Sequence, residues 1–127
     1  MYVGVLRLQF QIVGARSLKD KRSVIRSFKE RAQSRLRVSV AEVGMLDNPK
    51  HATIGVAVVS NSAAVCDEVL ASVASMASTL PDALLADRAT EIIPFGEGGT
   101  GVRGGIEQAL DRDEAGDWAE QEDDDAK

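Results

Sequence analysis

Residues 2–36 read YVGVLRLQFQIVGARSLKDKRSVIRSFKERAQSRL, and the spacing of the apolar side chains changes within this stretch. Over residues 2–13 apolar and polar side chains alternate, which is the period of two expected of a strand with one buried face. Gly14 interrupts the alternation. Over residues 18–36 the apolar side chains recur three or four positions apart, as they do in an amphipathic helix. The stretch therefore predicts a strand followed by a helix.

The residues just before the helix carry the signal for its start. Ser17 is a favourable N-cap, because its hydroxyl can accept a hydrogen bond from a free N–H of the first turn. Asp20 follows three positions later and can reach back toward the start of the helix, which predicts a variant of the capping box.

The spacing of apolar side chains changes in the same way later in the chain. Together the predicted strands and helices number six. Further strands are predicted over 38–43, 51–59 and 88–95, and a second helix over about 62–79. The order β-α-β-β-α-β is the split βαβ pattern of a ferredoxin-like fold. Right-handed crossovers leave few other topologies for this order. We therefore predict an α+β domain in which a four-stranded antiparallel sheet carries both helices on one face.

The composition changes after Pro94. Six glycines lie within residues 96–105, and residues 107–127 hold ten acidic side chains against two basic ones. Such a segment buries too little apolar surface to offset the entropy lost on ordering. The sequence therefore predicts a ferredoxin-like domain over residues 1–95, and a Gly-rich linker with an acidic disordered tail over residues 96–127.

The charges are unevenly distributed along the chain. Residues 14–37 carry nine basic side chains against two acidic ones, a net charge of +7, whereas residues 107–127 are net −8. The formal total of −5 conceals this division. Such asymmetry indicates an electrostatic partner, and nucleic acid is the first candidate.

Most of the basic charge lies on the predicted first helix. The candidate nucleic-acid-binding residues are Lys19, Lys21, Arg22, Arg26 and Lys29. At 100° per residue, Arg22, Arg26 and Lys29 share one sector of the helix, with Lys19 close by. One interpretation is a surface that follows phosphates. The other is a solvated helix whose long side chains cover the rim of the core. No aromatic residues lie between the basic ones, so stacking on bases is not expected from this helix.

Residue types that carry chemistry are few and scattered. His51 is the only histidine, and a metal or acid–base role would require it to meet Asp47 and Glu42. Cys66 has no histidine nearby in sequence to activate it as a nucleophile. The glycines of residues 96–101 lack the Lys-Ser/Thr ending of a phosphate-binding loop. We therefore expect no enzyme, no catalytic residue, no cofactor and no metal.

Three features of the sequence predict the cellular compartment of the protein. A single cysteine forms no intrachain disulfide, which suits a reducing environment. The first residues lack the pattern of a signal peptide. No apolar run approaches the length of about 18 residues that a membrane helix needs. We expect a cytoplasmic protein with no membrane partner.

Three segments resemble the YlxP-like family of small bacterial proteins of undefined function. They are SLKDKRSV at 17–24, VSVAEV at 38–43 and ATIGVAVVSN at 52–61. The resemblance covers roughly residues 1–93 and implies a ferredoxin-like fold and no established catalytic residues. Genes of this family often lie beside those for translation initiation and ribosome maturation, which implies RNA or a ribosomal subunit as partner.

Two functions from different classes follow. The first is a non-catalytic RNA- or ribosome-associated accessory protein that uses the basic first helix. The alternative is a homodimeric interaction domain or small-ligand-binding domain that acts through the open sheet face and has no nucleic-acid role. That face would present the side chains of Val3, Val5, Arg7, Gln9 and Gln11 from the first strand. Salt-dependent retention of RNA distinguishes the two.

Overall fold

A computed structural model describes residues 1–96 of the chain and contains six regular elements in that range. They are β1 (Tyr2–Ile12), α1 (Leu18–Arg35), β2 (Ser39–Gly44), β3 (His51–Ser60), α2 (Ala63–Ser78) and β4 (Ala83–Pro94). The strands form one antiparallel sheet in the order β2-β3-β1-β4. The predicted ferredoxin-like α+β fold is confirmed. The predicted linker and acidic tail lie outside the described residues, beyond Gly96.

The core lies between one face of the sheet and the two helices. In the central pair β1–β3, Leu6 lies opposite Val56 and Leu8 opposite Ile54, and all four side chains are buried. The helix α2 packs on β1 and β3, and α1 packs on β2 and against α2. Both helices therefore cover the same face, as the alternation in residues 2–13 predicts.

The helix α1 begins where the sequence predicts. The Ser17 hydroxyl accepts a hydrogen bond from the backbone N–H of Asp20 at 3.1 Å. The Asp20 carboxylate accepts one from the backbone N–H of Arg16 at 3.0 Å. In a capping box the second hydrogen bond comes from the backbone N–H of the N-cap residue. Here it comes from Arg16, the residue before the N-cap, so the motif is a shifted capping box.

The strand β4 begins at Ala83, five residues before its predicted start. Most of β4 is exposed, so its side chains do not show the burial alternation from which a strand is recognised. Its first residues are placed by the backbone instead, because the N–H of Val13 donates to the carbonyl of Asp82 at 3.0 Å. Pairing with β1 therefore decides where the strand starts. Among residues 1–96, no helix combines the length and apolar character needed to cross a membrane.

Candidate nucleic-acid interface

Four basic side chains of α1 form an exposed row beside its buried face. We call this row the basic stripe; its members are Lys19, Arg22, Arg26 and Lys29. At 100° per residue they fall within an arc of about 80°. Within residues 1–96, none of the four lies within 4 Å of an acidic side chain. Their charge is therefore available to an external anion.

The dimensions of the basic stripe suit a nucleic-acid backbone. From Lys19 to Lys29 the helix rises about 15 Å, at about 1.5 Å per residue. Phosphates of one strand of double-helical DNA recur about every 3.4 Å along the axis. The stripe therefore spans several consecutive phosphates. The helix α1 that carries the stripe is anchored to the domain, because its Ile25, Phe28 and Ala32 side chains are buried in the core.

Lys21 does not belong to the basic stripe. Its side chain is 1% exposed, and its Nζ lies 2.6 Å from Oε2 of Glu42. The same Nζ donates to three backbone carbonyls, those of Met45 (2.8 Å), His51 (3.2 Å) and Leu46 (3.3 Å). The prediction that Lys21 contacts nucleic acid is therefore corrected, since its charge is neutralised and enclosed by protein.

The geometry of this enclosed ammonium explains how the charge is tolerated. A lysine has three N–H donors, and here the three carbonyls use them. The Glu42 carboxylate supplies the opposite charge, with its Oε2 2.6 Å from the ammonium nitrogen. A signal for burial was present in the sequence: Lys21 precedes Ile25 by four positions and Phe28 by seven, so it lies on the apolar stripe of α1.

The other residues singled out in the sequence do not assemble a reactive centre within residues 1–96. Cys66 is fully buried, with its Sγ 3.8 Å from the carbonyl oxygen of Tyr2. His51 is exposed at the start of β3, and Glu42 is occupied by Lys21. No three His, Cys, Asp or Glu side chains in this range are placed to share a metal ion.

The face of the sheet opposite the helices is uncovered, and we call it the open sheet face. A shallow hollow of about 590 Å³ lies on it. Small residues line much of this hollow; they are Ser39, Ala41, Gly55, Ala57 and Ala89. Arg7, which also lines the hollow, forms an exposed ion pair with Asp87 at 3.7 Å. On the same face Thr53 donates to the Gln9 side chain at 2.8 Å. The open sheet face therefore carries both polar and apolar side chains, as predicted for the odd-numbered residues of β1.

These features define a small ferredoxin-like α+β protein whose first helix carries an exposed basic stripe and a buried lysine. The chain belongs to the family described as "Protein of unknown function (DUF503)", whose profile matches residues 3–90. It is similar to the "Uncharacterized protein YlxP" of Bacillus subtilis (strain 168). The two are 30% identical over 80 residues, which cover 63% of this chain and 87% of that protein. The resemblance to the YlxP-like family is thus confirmed.

Proposed function

We propose that this protein is a non-catalytic, cytoplasmic RNA- or ribosome-associated accessory protein that binds RNA phosphates through the basic stripe. The observation that carries the proposal is the set of four exposed cations without an acidic partner in residues 1–96, aligned on a helix anchored in the core. Neutralising phosphates releases condensed counterions, and this release supplies much of the affinity of such surfaces.

The stripe favours binding that is independent of sequence. Backbone contacts position a protein on nucleic acid, whereas contacts to base edges specify the sequence. Phe10 and Phe28 are buried, so neither ring is available to stack on a base. The side chains of the stripe are long cations suited to phosphates. We therefore expect similar affinity for unrelated RNA sequences of equal length.

Replacing Arg22, Arg26 and Lys29 with Ala tests the stripe directly. Each lost phosphate contact removes nearly one unit from the slope of log K against log salt. The triple variant should therefore lose roughly two to three units of slope and bind unrelated RNAs more weakly by similar factors. Fluorescence anisotropy with two unrelated RNAs over a salt series measures both effects.

The opposite border of α1 supplies the matched control. Arg31 and Arg35 are also exposed, but they lie across the buried face from the stripe. Their double Ala variant should keep the wild-type slope. If a folded triple variant also keeps that slope, the stripe is merely solvated and this function is wrong.

The charge of the remaining chain leads to a second prediction. Residues 1–96 hold twelve basic and nine acidic side chains, net +3, whereas residues 97–127 hold three basic and eleven acidic ones, net −8. Deleting residues 97–127 therefore reverses the sign of the net charge and should tighten RNA binding at low salt. The difference between full-length and truncated protein should shrink as salt rises, because the Debye length is about 8 Å at physiological ionic strength.

A full-length chain with the eleven acidic residues of the tail changed to their amides provides the control for chain length. It should bind RNA at least as tightly as the truncated protein does, because its tail then carries only the three basic side chains. Equal affinities of wild-type and truncated protein at low salt would show that the acidic segment does not oppose RNA binding.

The open sheet face supports a second candidate function, a homodimeric or small-ligand-binding domain with no nucleic-acid role. The hollow of about 590 Å³ lies within the size range of small-molecule sites and has a lining rich in small residues. Two measurements separate the candidates. The second function predicts no RNA retention at any salt, together with either a molecular mass that rises with concentration or saturable ligand binding.

A further inference from the structure

Outward-facing side chains of β1 and β3 form rows across the open sheet face, because paired residues of neighbouring strands lie side by side. Three consecutive rows are the valine row (Val3 and Val59), the middle row (Val5 and Ala57) and the arginine row (Arg7 and Gly55). Successive rows are two residues apart, a distance of about 7 Å. The valine row and the arginine row therefore lie at equal distances on opposite sides of the middle row.

The two outer rows differ in bulk on the β3 side. Val59 is 62% exposed, so the valine row projects from the sheet. In the arginine row Gly55 has no side chain, and β2 places the small side chain of Ala41 beside it. Gly55 and Ala41 both line the hollow of about 590 Å³. The face thus has a projection on one side of the middle row and a depression at the same distance on the other.

The charges contributed by β4 are arranged about the same middle row. Asp87 lies beside the arginine row, since its carboxylate is 3.7 Å from the Arg7 guanidinium. Glu91 lies four residues further along β4, and the antiparallel direction of the strands places it toward the valine row. The contact between Arg7 and Asp87 is too long for a hydrogen bond, so the guanidinium keeps donors for a second carboxylate.

A two-fold axis along the middle row makes this pattern self-complementary. Such an axis stacks the open sheet faces of two copies and exchanges their valine and arginine rows. Val59 of each copy then lies over the depression at Gly55 of the other copy. The same operation brings Glu91 of each copy toward Arg7 of the other. One axis therefore matches both the shape and the charge of the face.

We propose that a second copy of this chain covers the open sheet face, with a two-fold axis along the middle row. The proposal rests on the second candidate function only in its use of this face. Among the described residues that line the hollow, Arg7 is the single cation, Glu91 opposes it, and none is aromatic. Such a lining offers RNA neither a row of cations nor a stacking surface. Because α1 packs on the other face of the sheet, the basic stripes of both copies stay exposed in the dimer.

The size of the overlap determines how strong the dimer is. Tyr2 begins β1 three residues from Val5, so the overlap about the middle row is about seven residues long and three to four strands wide. At the usual strand dimensions this is about 23 Å by 17 Å, or about 400 Å² on each copy. Specific interfaces of standard size bury about twice that area. We therefore expect a reversible dimer whose dissociation constant is no tighter than roughly micromolar.

The first test measures the mass of the full-length protein against concentration by sedimentation equilibrium. The mass should rise from that of one chain toward that of two between micromolar and millimolar concentration. Val59→Lys places a charge on the projecting side chain and should weaken the dimer by roughly tenfold or more. Val65→Lys is the matched control, because Val65 is 43% exposed on α2, away from the open sheet face. It should leave the association unchanged.

The second test locates the axis. Ala57 lies in the middle row, so the two copies of this residue face one another across the dimer. Stacked sheets are about 10 Å apart, which is too far for a disulfide and within reach of a short bismaleimide linker. Ala57→Cys should give a covalent dimer with that linker, and Val65→Cys should not. The wild type provides the background, since Cys66 is fully buried.

Each outcome decides the proposal. A wild-type mass that stays at one chain up to millimolar concentration would overturn it, as would unweakened association of folded Val59→Lys. A dimer that does not cross-link through Ala57→Cys would place the contact on another surface and also overturn it. Variants of the basic stripe are tested for RNA binding at concentrations where the protein is a single chain. Their salt slope therefore decides the RNA function separately from the dimer.

Discussion

Lys21→Met is expected to lower the free energy of unfolding by about 3–5 kcal/mol, which is the usual cost of removing one partner of a buried ion pair. The substitution leaves the Glu42 carboxylate, 17% exposed, without its counter-charge. It also leaves the carbonyls of Met45, Leu46 and His51 without the donor that joins them. A domain of this size has a total stability of about 5–15 kcal/mol, so a large part of it depends on this one lysine. Urea unfolding followed by circular dichroism measures the loss.

Two further variants show whether the loss comes from the ion pair. Replacing Glu42 as well, in Lys21→Met/Glu42→Leu, removes the orphaned charge and should recover part of the stability. Arg22→Met changes the adjacent, exposed cation in the same way and should alter stability by less than about 0.5 kcal/mol. If Lys21→Met costs no more than Arg22→Met, the buried network does not stabilise the domain.

Phe28→Asp is expected to prevent folding. Phe28 is fully buried between the sheet and the helices, with its ring 5.7 Å from that of Phe10 in an edge-to-face arrangement. Truncating a buried Phe costs about 3–5 kcal/mol, and burying an unpaired carboxylate in the same place adds several more. The sum is comparable to the whole stability of a small domain. Proton NMR should show loss of amide dispersion at 25 °C.

A conservative change at the same position provides the comparison. Phe28→Leu keeps an apolar side chain of smaller volume and should leave the domain folded, with a modest loss of stability. A cooperative unfolding transition in Phe28→Asp would contradict the position of Phe28 in the core.

The helix α1 thus performs three roles on three parts of its circumference. Phe28 and Ile25 anchor it in the core, Lys21 joins it to the connection between β2 and β3, and the basic stripe faces solvent. Because the roles are separated, variants of the basic stripe test RNA binding without changing the core. Lys21 variants are unsuited to that purpose, since they lower the stability of the whole domain.

The sequence by itself determined the elements of the fold, because its evidence is local. Alternation in residues 2–13 and helical spacing in residues 18–36 record which side chains of one segment share a buried face. The order of the elements then determined the sheet topology. The exposure of Arg22, Arg26 and Lys29 was also predictable, since their angles around the helix lie outside its apolar stripe.

Only the tertiary structure decided the features that depend on distant segments. The partners of Lys21 lie 21 to 30 positions away along the chain, on β2, on the connection that follows it and on β3. A buried ammonium is tolerated only where such partners converge, and no local pattern reports their convergence. The start of β4 and the hollow on the open sheet face likewise arise from pairing between strands. Local periodicity shows which face of an element is buried, whereas the groups that meet there are brought together by the folding of the whole sheet.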